Sequence, residues 1–230
     1  MVTDSVIFDF DDTLVATNLI FEEARICFFE AMAACGCHDR RVIGEYLNNA
    51  DICNVVAKGY MAKDCFPRAM RQTYEHFIGR AGRDIDQNIA DAVEKIGFEV
   101  YDREVNYQPG AVDLLSALQG KVRLFLLTQG EEKTQNKRLD RSGVLTYFDD
   151  YRIVRNKSKE EYLSFLSDKN IDAGRSWMIG NSLRSDINPA LSAGLMAAHY
   201  KIPAWDFEHE EPVGNYHTIY NLVEFLELIQ

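Results

Sequence analysis

Residues 6–14 read VIFDFDDTL, and this stretch decides the fold. Val6–Phe8 is a β-branched and aromatic run of the kind that forms a buried strand. The acidic residues that follow cannot continue that strand, so we predict a central strand with a polar tip. An extended backbone would orient Asp9 and Asp11, which are two residues apart, toward one side of the strand end.

Two carboxylates at such a tip can divide the work of a displacement reaction. One can attack a phosphoryl group and form a covalent aspartyl-phosphate, while the other moves the proton. We therefore take Asp9 as the candidate nucleophile and Asp11 as the candidate general acid and base. The alternative is an acidic loop of solvated caps, which the apolar strand directly before it disfavours.

The rest of the chain divides into a helical block and an alternating block. From residue 16 to about 100 the apolar spacing predicts helices and no strand, with Thr17 or Asn18 as a possible cap of the first helix. Beyond residue 110 helices alternate with apolar runs, which predicts a parallel sheet. The candidate strands are Val122–Leu127, Arg152–Val154, Trp177–Ile179 and Met196–Tyr200. We predict an α/β core over residues 1–15 and 105–230, with an all-helical domain inserted over 16–104.

The composition narrows the class of protein. The chain has 230 residues, of which 47% are hydrophobic and 27% charged, as in packed globular proteins. Its formal net charge of -11 disfavours binding to nucleic acid or to an anionic membrane surface. It contains no leader-like segment and no membrane-spanning apolar run, so we expect a cytoplasmic protein. The five cysteines all lie in the first third, which favours structural thiols over a disulfide framework or a zinc cluster.

Polar side chains follow the ends of the other predicted strands. Thr128 comes after the second strand, Lys157 after the third, and Asn181 with Asp186 after the fourth. The carboxyl ends of parallel strands meet at one edge of a sheet, where open α/β folds bind their ligands. We therefore expect these four side chains to converge on the two aspartates of the first strand.

These segments resemble, in order, the four motifs of the haloacid dehalogenase superfamily. The first motif is Asp9-Phe10-Asp11-Asp12-Thr13-Leu14, the second Leu126-Leu127-Thr128-Gln129-Gly130, the third Lys157, and the fourth residues 180–187. The resemblance is to the phosphatase-like members, and it implies a Rossmann-like, three-layer core. The helical insertion resembles the C1-type cap of the family's first subclass, a lid that closes over the site and selects the substrate.

The resemblance also implies roles for the individual side chains. Thr128 would hydrogen-bond the transferred phosphoryl oxygens, with Gln129 beside it, and Lys157 would neutralise the charge shared between that group and Asp9. A capping box, Ser158-Lys159-Glu160-Glu161, predicts that a helix begins directly after Lys157. Lys157 then stays in the loop at the strand end, and Lys159, on the helix, is the runner-up for the same role.

A magnesium ion is implied by the fourth motif. Its ligands would be Asp9, the main-chain oxygen of Asp11, Asn181 and Asp186, because Mg²⁺ prefers hard oxygen donors. Asn181 departs from the family pattern, which usually has Asp at this position. A neutral amide oxygen thus replaces one anionic ligand, and weaker metal binding is expected.

The resemblance leaves several functions open. Hydrolysis of a small phosphorylated metabolite by a monomer or homodimer is the expected activity. A phosphomutase or phosphotransferase would use the same residues, and a protein that kept the fold for binding or regulation would not turn over at all. A dehalogenase is disfavoured, because attack on carbon needs neither Asp11 nor magnesium. Residues 38–83 carry eight Lys or Arg and five Asp or Glu, which is compatible with an anion-collecting cap surface or with ordinary solvated helix faces. The late segment Trp205–Glu208 could border the site or pack against it.

Overall fold

The computed structural model describes residues 3–202 and 210–229, so Trp205–Glu208 lies outside the described residues. The chain forms two compact units. The first consists of Met1–Thr17 and Val105–Gln230, and the second of Asn18–Glu104.

A parallel sheet forms the centre of the first unit. Within the described residues it has six strands in the order β3-β2-β1-β4-β5-β6, and every neighbouring pair is parallel. The strands are β1 Ser5–Phe8, β2 Arg123–Gln129, β3 Asp150–Val154, β4 Ser176–Gly180, β5 Met196–Tyr200 and β6 His217–Ile219. β1 lies between β2 and β4, where the strand order reverses, so its carboxyl end faces the crevice in which such sheets bind ligands. The predicted parallel α/β fold is confirmed.

Both faces of the sheet are covered, because the side chains that point to either face of its strands are apolar. Val6 and Phe8 belong to one buried cluster, which includes α5, and Ile7 belongs to the other, which includes α7. Alternation along β1 therefore sends neighbouring side chains into different layers. The helices of this unit are α5 Ala111–Leu118, α6 Glu132–Ser142, α7 Lys159–Asp168, α8 Asn188–Ser192 and α9 Phe225–Leu228.

The second unit is built from helices. They are α1 Thr17–Ala34, whose first residue still belongs to the first unit, α2 Arg40–Lys58, α3 Cys65–Arg80 and α4 Gln87–Glu99. Asp39 caps α2 by accepting a hydrogen bond from the amide of Val42, and Asp86 caps α4 in the same way through Asn88. A Cβ atom at Gly97 would come within 2.5 Å of the Pro67 backbone, so glycine allows α4 to approach α3 closely.

Two further findings concern the whole described chain. In residues 3–202 and 210–229, none of the helices is both long and apolar enough to cross a membrane. The five cysteines are free thiols, as expected from their number and spacing.

The chain leaves and re-enters the first unit at nearly the same point. The amide of Ala16 donates to the carbonyl oxygen of Asn106 at 2.8 Å, and Val15 forms an antiparallel bridge with Tyr107. The helical insertion therefore lies within the connection between two adjacent strands, β1 and β2.

Candidate active site

The chain turns sharply as soon as β1 ends. The amide of Leu14 donates to the carbonyl oxygen of Phe10 at 2.9 Å, and Asp12 adopts a left-handed conformation with φ of 60°. Phe10 and Leu14 are fully buried, which anchors the turn in the core. The backbone beyond β1 is therefore not extended, and Asp9 and Asp11 contact different sets of partners. The expectation that alternate spacing would orient both carboxylates to one side is corrected in this respect.

Asp9 and Asp186 are joined by Lys157. The Lys157 ammonium donates to Oδ1 of Asp9 and, at 2.6 Å, to Oδ1 of Asp186, and all three side chains are buried. Burial raises the pKa of Asp9 and the nearby Asp186 adds to that effect, while Lys157 opposes it. Burial alone would lower the pKa of Lys157, but the two carboxylates more than offset it, so that pKa lies above its ordinary value. The site thus holds one ammonium for two carboxylates.

The loop before α7 puts Lys157 in this position. The Ser158 hydroxyl accepts a hydrogen bond from the amide of Glu161 at 3.3 Å, and α7 begins at Lys159. The predicted helix start is thereby confirmed. Lys159 is exposed on that helix, so the structure brings Lys157, and not the runner-up, to Asp9.

Asp186 is fixed from two sides. Its Oδ2 accepts a hydrogen bond from the amide of Ser182 at 3.0 Å, within the turn of π-helix Leu183–Ile187. A Cβ atom on Gly180 would come within 2.3 Å of the Asp186 carboxyl carbon. The last residue of β4 must therefore be glycine for this carboxylate to reach Lys157.

Asn181 lies beside the same carboxylates. Its Oδ1 is 3.2 Å from the Thr13 hydroxyl, which also contacts Oδ2 of Asp9 at 3.0 Å. The main-chain oxygen of Asn181 accepts a hydrogen bond from Nε2 of His199 at 2.9 Å, so that nitrogen carries the hydrogen. Burial lowers the pKa of His199, which favours the neutral ring. The position that departs from the family pattern is thus a buried part of the site.

Asp11 and Thr128 form a second, connected set. Gln135 donates from Nε2 to Oδ2 of Asp11 at 2.7 Å and to the Thr128 hydroxyl at 2.9 Å. Arg138 and Thr17 donate to Oδ1 of Asp11, Thr17 at 2.6 Å. Burial would raise the pKa of Asp11, but the Arg138 guanidinium and these hydrogen bonds lower it below its ordinary value.

Gln135 and Arg138 were not found from the sequence. Both are buried on α6, which otherwise reads as a polar, solvated helix. Their separation of three residues puts them on one helix face, but nothing in the sequence distinguishes that face from an exposed one. The expected cap of α1 at Thr17 or Asn18 is wrong, because α1 begins at Thr17 itself, and the Thr17 hydroxyl donates to Asp11.

Gln129 lies between the two sets. Its main-chain oxygen accepts a hydrogen bond from Gln135 at 3.2 Å, and its Oε1 accepts one from the amide of Lys157 at 3.4 Å. The structure thus brings all of the predicted site residues to the carboxyl ends of β1, β2 and β4 and to the loop after β3.

A magnesium ion can be accommodated by the donors at this edge. In the described part of the chain, no three His, Cys, Asp or Glu side chains are grouped so as to hold a metal ion. Mg²⁺, however, is commonly held by only one or two carboxylates together with substrate phosphates. Asp9 and Asp186 supply two buried carboxylates and Asn181 a neighbouring amide oxygen, so the residues present fit this ion.

A parallel sheet whose carboxyl edge holds Lys157 between Asp9 and Asp186 defines a Rossmann-like α/β fold with an aspartate-centred site. The model of the haloacid dehalogenase-like hydrolases matches residues 3–194. The chain belongs to this family.

Phosphate-releasing enzymes are among its relatives in sequence. A pyrimidine 5'-nucleotidase of Escherichia coli, YjjG, is 30% identical over 131 residues, which cover 53% of this chain and 56% of that protein. An N-acylneuraminate-9-phosphatase of Rattus norvegicus is 32% identical over 90 residues, 36% of each chain. The chain therefore spans only about half, or less, of the length of these two relatives.

Solved structures share the fold over nearly the whole chain. A haloacid dehalogenase-like family hydrolase from Xanthomonas campestris superposes with a TM-score of 0.79 at 21% identity, covering 99% of this chain and 90% of that one. The putative hydrolase YfnB of Bacillus subtilis, bound to magnesium, gives 0.70 at 22% identity, with all of both chains covered. An L-2-haloacid dehalogenase from Xanthobacter autotrophicus gives 0.65 at 13% identity, covering 100% of this chain and 98% of that one. At these identities the likeness concerns the fold alone.

Proposed function

We propose that this hydrolase is a magnesium-dependent phosphatase that cleaves a phosphate monoester of a small metabolite through an aspartyl-phosphate on Asp9. The observation that carries the proposal is the buried bridge in which Lys157 joins Asp9 to Asp186 at the crevice of the sheet. The nucleotidase and the phosphatase among the relatives support this substrate class.

The reaction has two displacement steps at phosphorus. In the first, a carboxylate oxygen of Asp9 bonds to phosphorus while the bond to the ester oxygen breaks, and Asp11, ionised in the free protein but protonated once the anionic substrate is bound, supplies a proton to the departing alcohol. In the second, water attacks the same phosphorus, the bond to Asp9 breaks, and Asp11 takes a proton from the water. The carboxylate of Asp9 is thereby regenerated and inorganic phosphate is released.

Positive charge and hydrogen-bond donors would stabilise the phosphoryl group during both steps. The Lys157 ammonium lies on the attacking carboxylate and can neutralise charge shared with the phosphoryl oxygens. The Thr128 hydroxyl and Gln129, at the end of β2, would contribute donors. Catalysis of this kind consists mainly of electrostatic positioning.

Asp9, Asp186, Asn181 and the main-chain oxygen of Asp11 would hold the magnesium ion. When bound, the ion offsets the repulsion between the nucleophile and the phosphoryl oxygens. With Asn181 at this site, the protein supplies one negative charge fewer than with an aspartate, so binding should be weaker.

The helical unit is proposed as the cap that excludes water and selects the substrate. The basic surplus of residues 38–83 is reduced by pairing, since Arg71 contacts Glu75, Asp91 and Glu94. We therefore assign substrate selection to the unit as a whole. A soluble, cytoplasmic enzyme that acts as a monomer or homodimer, independently of nucleic acid and membranes, is part of the proposal.

Two other functions use the same geometry. A phosphomutase or phosphotransferase would pass the phosphoryl group from Asp9 to an acceptor other than water, and turnover would then require that acceptor. A non-catalytic binding protein would retain the fold without turnover, but the close engagement of Lys157 with Asp9 favours catalysis.

The test is hydrolysis of p-nitrophenyl phosphate with and without magnesium. Wild type should release nitrophenolate only with magnesium, and Asp9→Asn should abolish release because the nucleophile is lost. Asp113→Asn, the same change at an exposed position on α5, is the matched control and should behave as wild type. Asn181→Asp should lower the magnesium concentration needed for half-maximal activity. Release that persists in Asp9→Asn, or halide release from 2-chloropropionate in place of phosphate release, would contradict the proposal.

A further inference from the structure

Two buried polar residues on α6 have no part in the family motifs. Gln135 is 4% exposed and Arg138 is 7% exposed, on a helix whose other charged residues largely face solvent. Burying an amide and a guanidinium is costly unless each finds partners. Their partners are the two groups proposed to handle the proton and the phosphoryl oxygens, Asp11 and Thr128.

The orientation of the Gln135 amide is set by its neighbours. Its Oε1 accepts a hydrogen bond from Nη1 of Arg138 at 3.1 Å, so its nitrogen must face Thr128 and Asp11. The amide nitrogen has two hydrogens for three acceptors, and the two nearest are Oδ2 of Asp11 at 2.7 Å and the Thr128 oxygen at 2.9 Å, while the main-chain oxygen of Gln129 lies farther away at 3.2 Å. The Thr128 oxygen therefore accepts a hydrogen bond from Gln135. Since a hydroxyl has a single hydrogen, that of Thr128 remains available to donate to a phosphoryl oxygen.

Arg138 completes a ring of hydrogen bonds around Asp11. Its Nη1 donates to Oδ1 of Asp11, and its Nη2 donates to the Thr17 hydroxyl at 2.8 Å. Thr17 in turn donates to the same carboxylate oxygen. The guanidinium also lies over the Phe10 ring, 5.5 Å from its centroid. Both oxygens of Asp11 are thus held by donors on α6 or at the start of α1.

We propose that Gln135 and Arg138 are positioning residues for this reaction. Gln135 turns the Thr128 hydroxyl so that it donates to the transferred phosphoryl group, and Gln135 and Arg138 together hold the Asp11 carboxylate where it exchanges a proton with the ester oxygen and the attacking water. The inference rests on the proposed phosphatase function. It assigns to α6 a task that is separate from binding the metal ion.

The contribution of Arg138 is tested by comparing two leaving groups. An alkyl ester, β-glycerol phosphate, needs a proton donor as the alcohol departs, whereas p-nitrophenyl phosphate leaves readily as the nitrophenolate anion. The value of kcat/KM reports the steps up to that departure. Arg138→Lys keeps the charge but cannot contact Asp11 and Thr17 at the same time through two nitrogens. It should lower kcat/KM about 30-fold for the alkyl ester, within the range of general acid catalysis. The aryl ester should change by less than about 3-fold.

Asp11→Asn should reproduce this split between the two esters, and Lys133→Met, at an exposed position on the same helix, should leave both esters unchanged. An equal loss on both esters in Arg138→Lys would indicate a general disturbance of the fold and would overturn the inference for Arg138.

The contribution of Gln135 is tested with orthovanadate, a phosphate analogue, as the probe. Gln135→Leu and Thr128→Val should each weaken binding of vanadate about 10-fold, measured as the shift in thermal unfolding temperature with vanadate concentration. The double variant should lose no more affinity for vanadate than either single variant, because both changes remove the same donor. Additive losses would overturn the inference for Gln135.

The two measurements separate this inference from the function on which it rests. If wild type hydrolyses neither ester, the phosphatase proposal fails, and the assignment of Asp11 positioning to Arg138 fails with it. The vanadate cycle still decides whether Gln135 orients Thr128. If wild type hydrolyses both esters and Arg138→Lys leaves their ratio unchanged, the phosphatase proposal stands and the positioning role of Arg138 is rejected.

Discussion

Each of the two units contains a partly buried aspartate close to an arginine, but the pKa values of the two carboxylates shift in opposite directions. In the first unit Asp11 accepts hydrogen bonds at both oxygens, and its pKa is lowered. In the helical unit Oδ1 of Asp51 has no hydrogen-bond partner among the described residues, and burial raises its pKa to about 6, against the attraction of Arg25.

The arginines differ in what they contact directly. Arg138 donates to the carboxylate of Asp11, whereas Arg25 donates to Asn48 at 2.6 Å and lies over the Phe66 ring. Since both carboxylates are partly buried beside a guanidinium, the difference shows that a nearby charge alone does not offset desolvation. Direct donors to the carboxylate oxygens do.

The largest effect should come from removing the cation that holds Asp11. Arg138→Met leaves a partly buried carboxylate without its partner and should lower the free energy of unfolding by about 3 kcal/mol, the low end of the range for breaking a buried pair. Arg25→Met, the same change in the helical unit, should cost less than half as much, because Asp51 does not depend on a direct contact. Urea denaturation of both variants at pH 7 measures this, and equal losses would remove the distinction between the two pairs.

A smaller change in the free energy of unfolding, of opposite sign, is expected for a substitution of Asp51. Asp51→Asn removes a partly buried charge and should stabilise the protein by about 2 kcal/mol at pH 8. The folded pKa of Asp51, about 6, lies above the ordinary value of 3.8. The penalty for its charge is therefore absent below about pH 4, grows as the pH rises to about 6, and is constant above that.

The free energies of unfolding of wild type and Asp51→Asn, measured from pH 4 to pH 8, should then be equal near pH 4 and differ most near pH 8. Asp84→Asn, at an exposed position in the same unit, is the control and should follow wild type throughout. A stabilisation that does not vary with pH would argue against a raised pKa at Asp51.

The smallest effect should come from the hydroxyl that links Arg138 to Asp11. Thr17→Val keeps the shape of the side chain but removes one donor and one acceptor from a buried ring, and it should cost about 1–2 kcal/mol. Thr218→Val, at an exposed position on β6, should be close to neutral. If Thr17→Val proves equally neutral, Arg138 holds the carboxylate without it.

Most of the sheet could be predicted from the sequence, because a strand that is buried on both faces is an apolar run with clear ends. Met196–Tyr200 was predicted to the residue, and the core of β1 was recognised from Val6–Phe8. β6, His217–Ile219, was missed because it has three residues and two of them are polar. A pattern of apolar spacing has no signal for such an edge strand.

The residues of the site that belong to local sequence motifs could be predicted, whereas those that reach the site only through tertiary packing could not. Lys157 could be separated from Lys159 by the capping box alone, and the structure puts it on Asp9. Gln135 and Arg138 could not be found, since a buried polar face of a helix has the same composition as a solvated one. Only the tertiary structure shows that this face meets Asp11 and Thr128.

The hydrogen bond between Ala16 and Asn106 has a consequence for how such a protein can change over generations. Because the two ends of the insertion meet, a gene could lose, gain or exchange the segment between them while the sheet continued to form around β1 and β2. The reacting groups described here all lie on the retained side of that junction. A protein of this kind could therefore acquire new substrates when the coding sequence of the insertion is replaced, while the residues that carry the reaction stay unchanged.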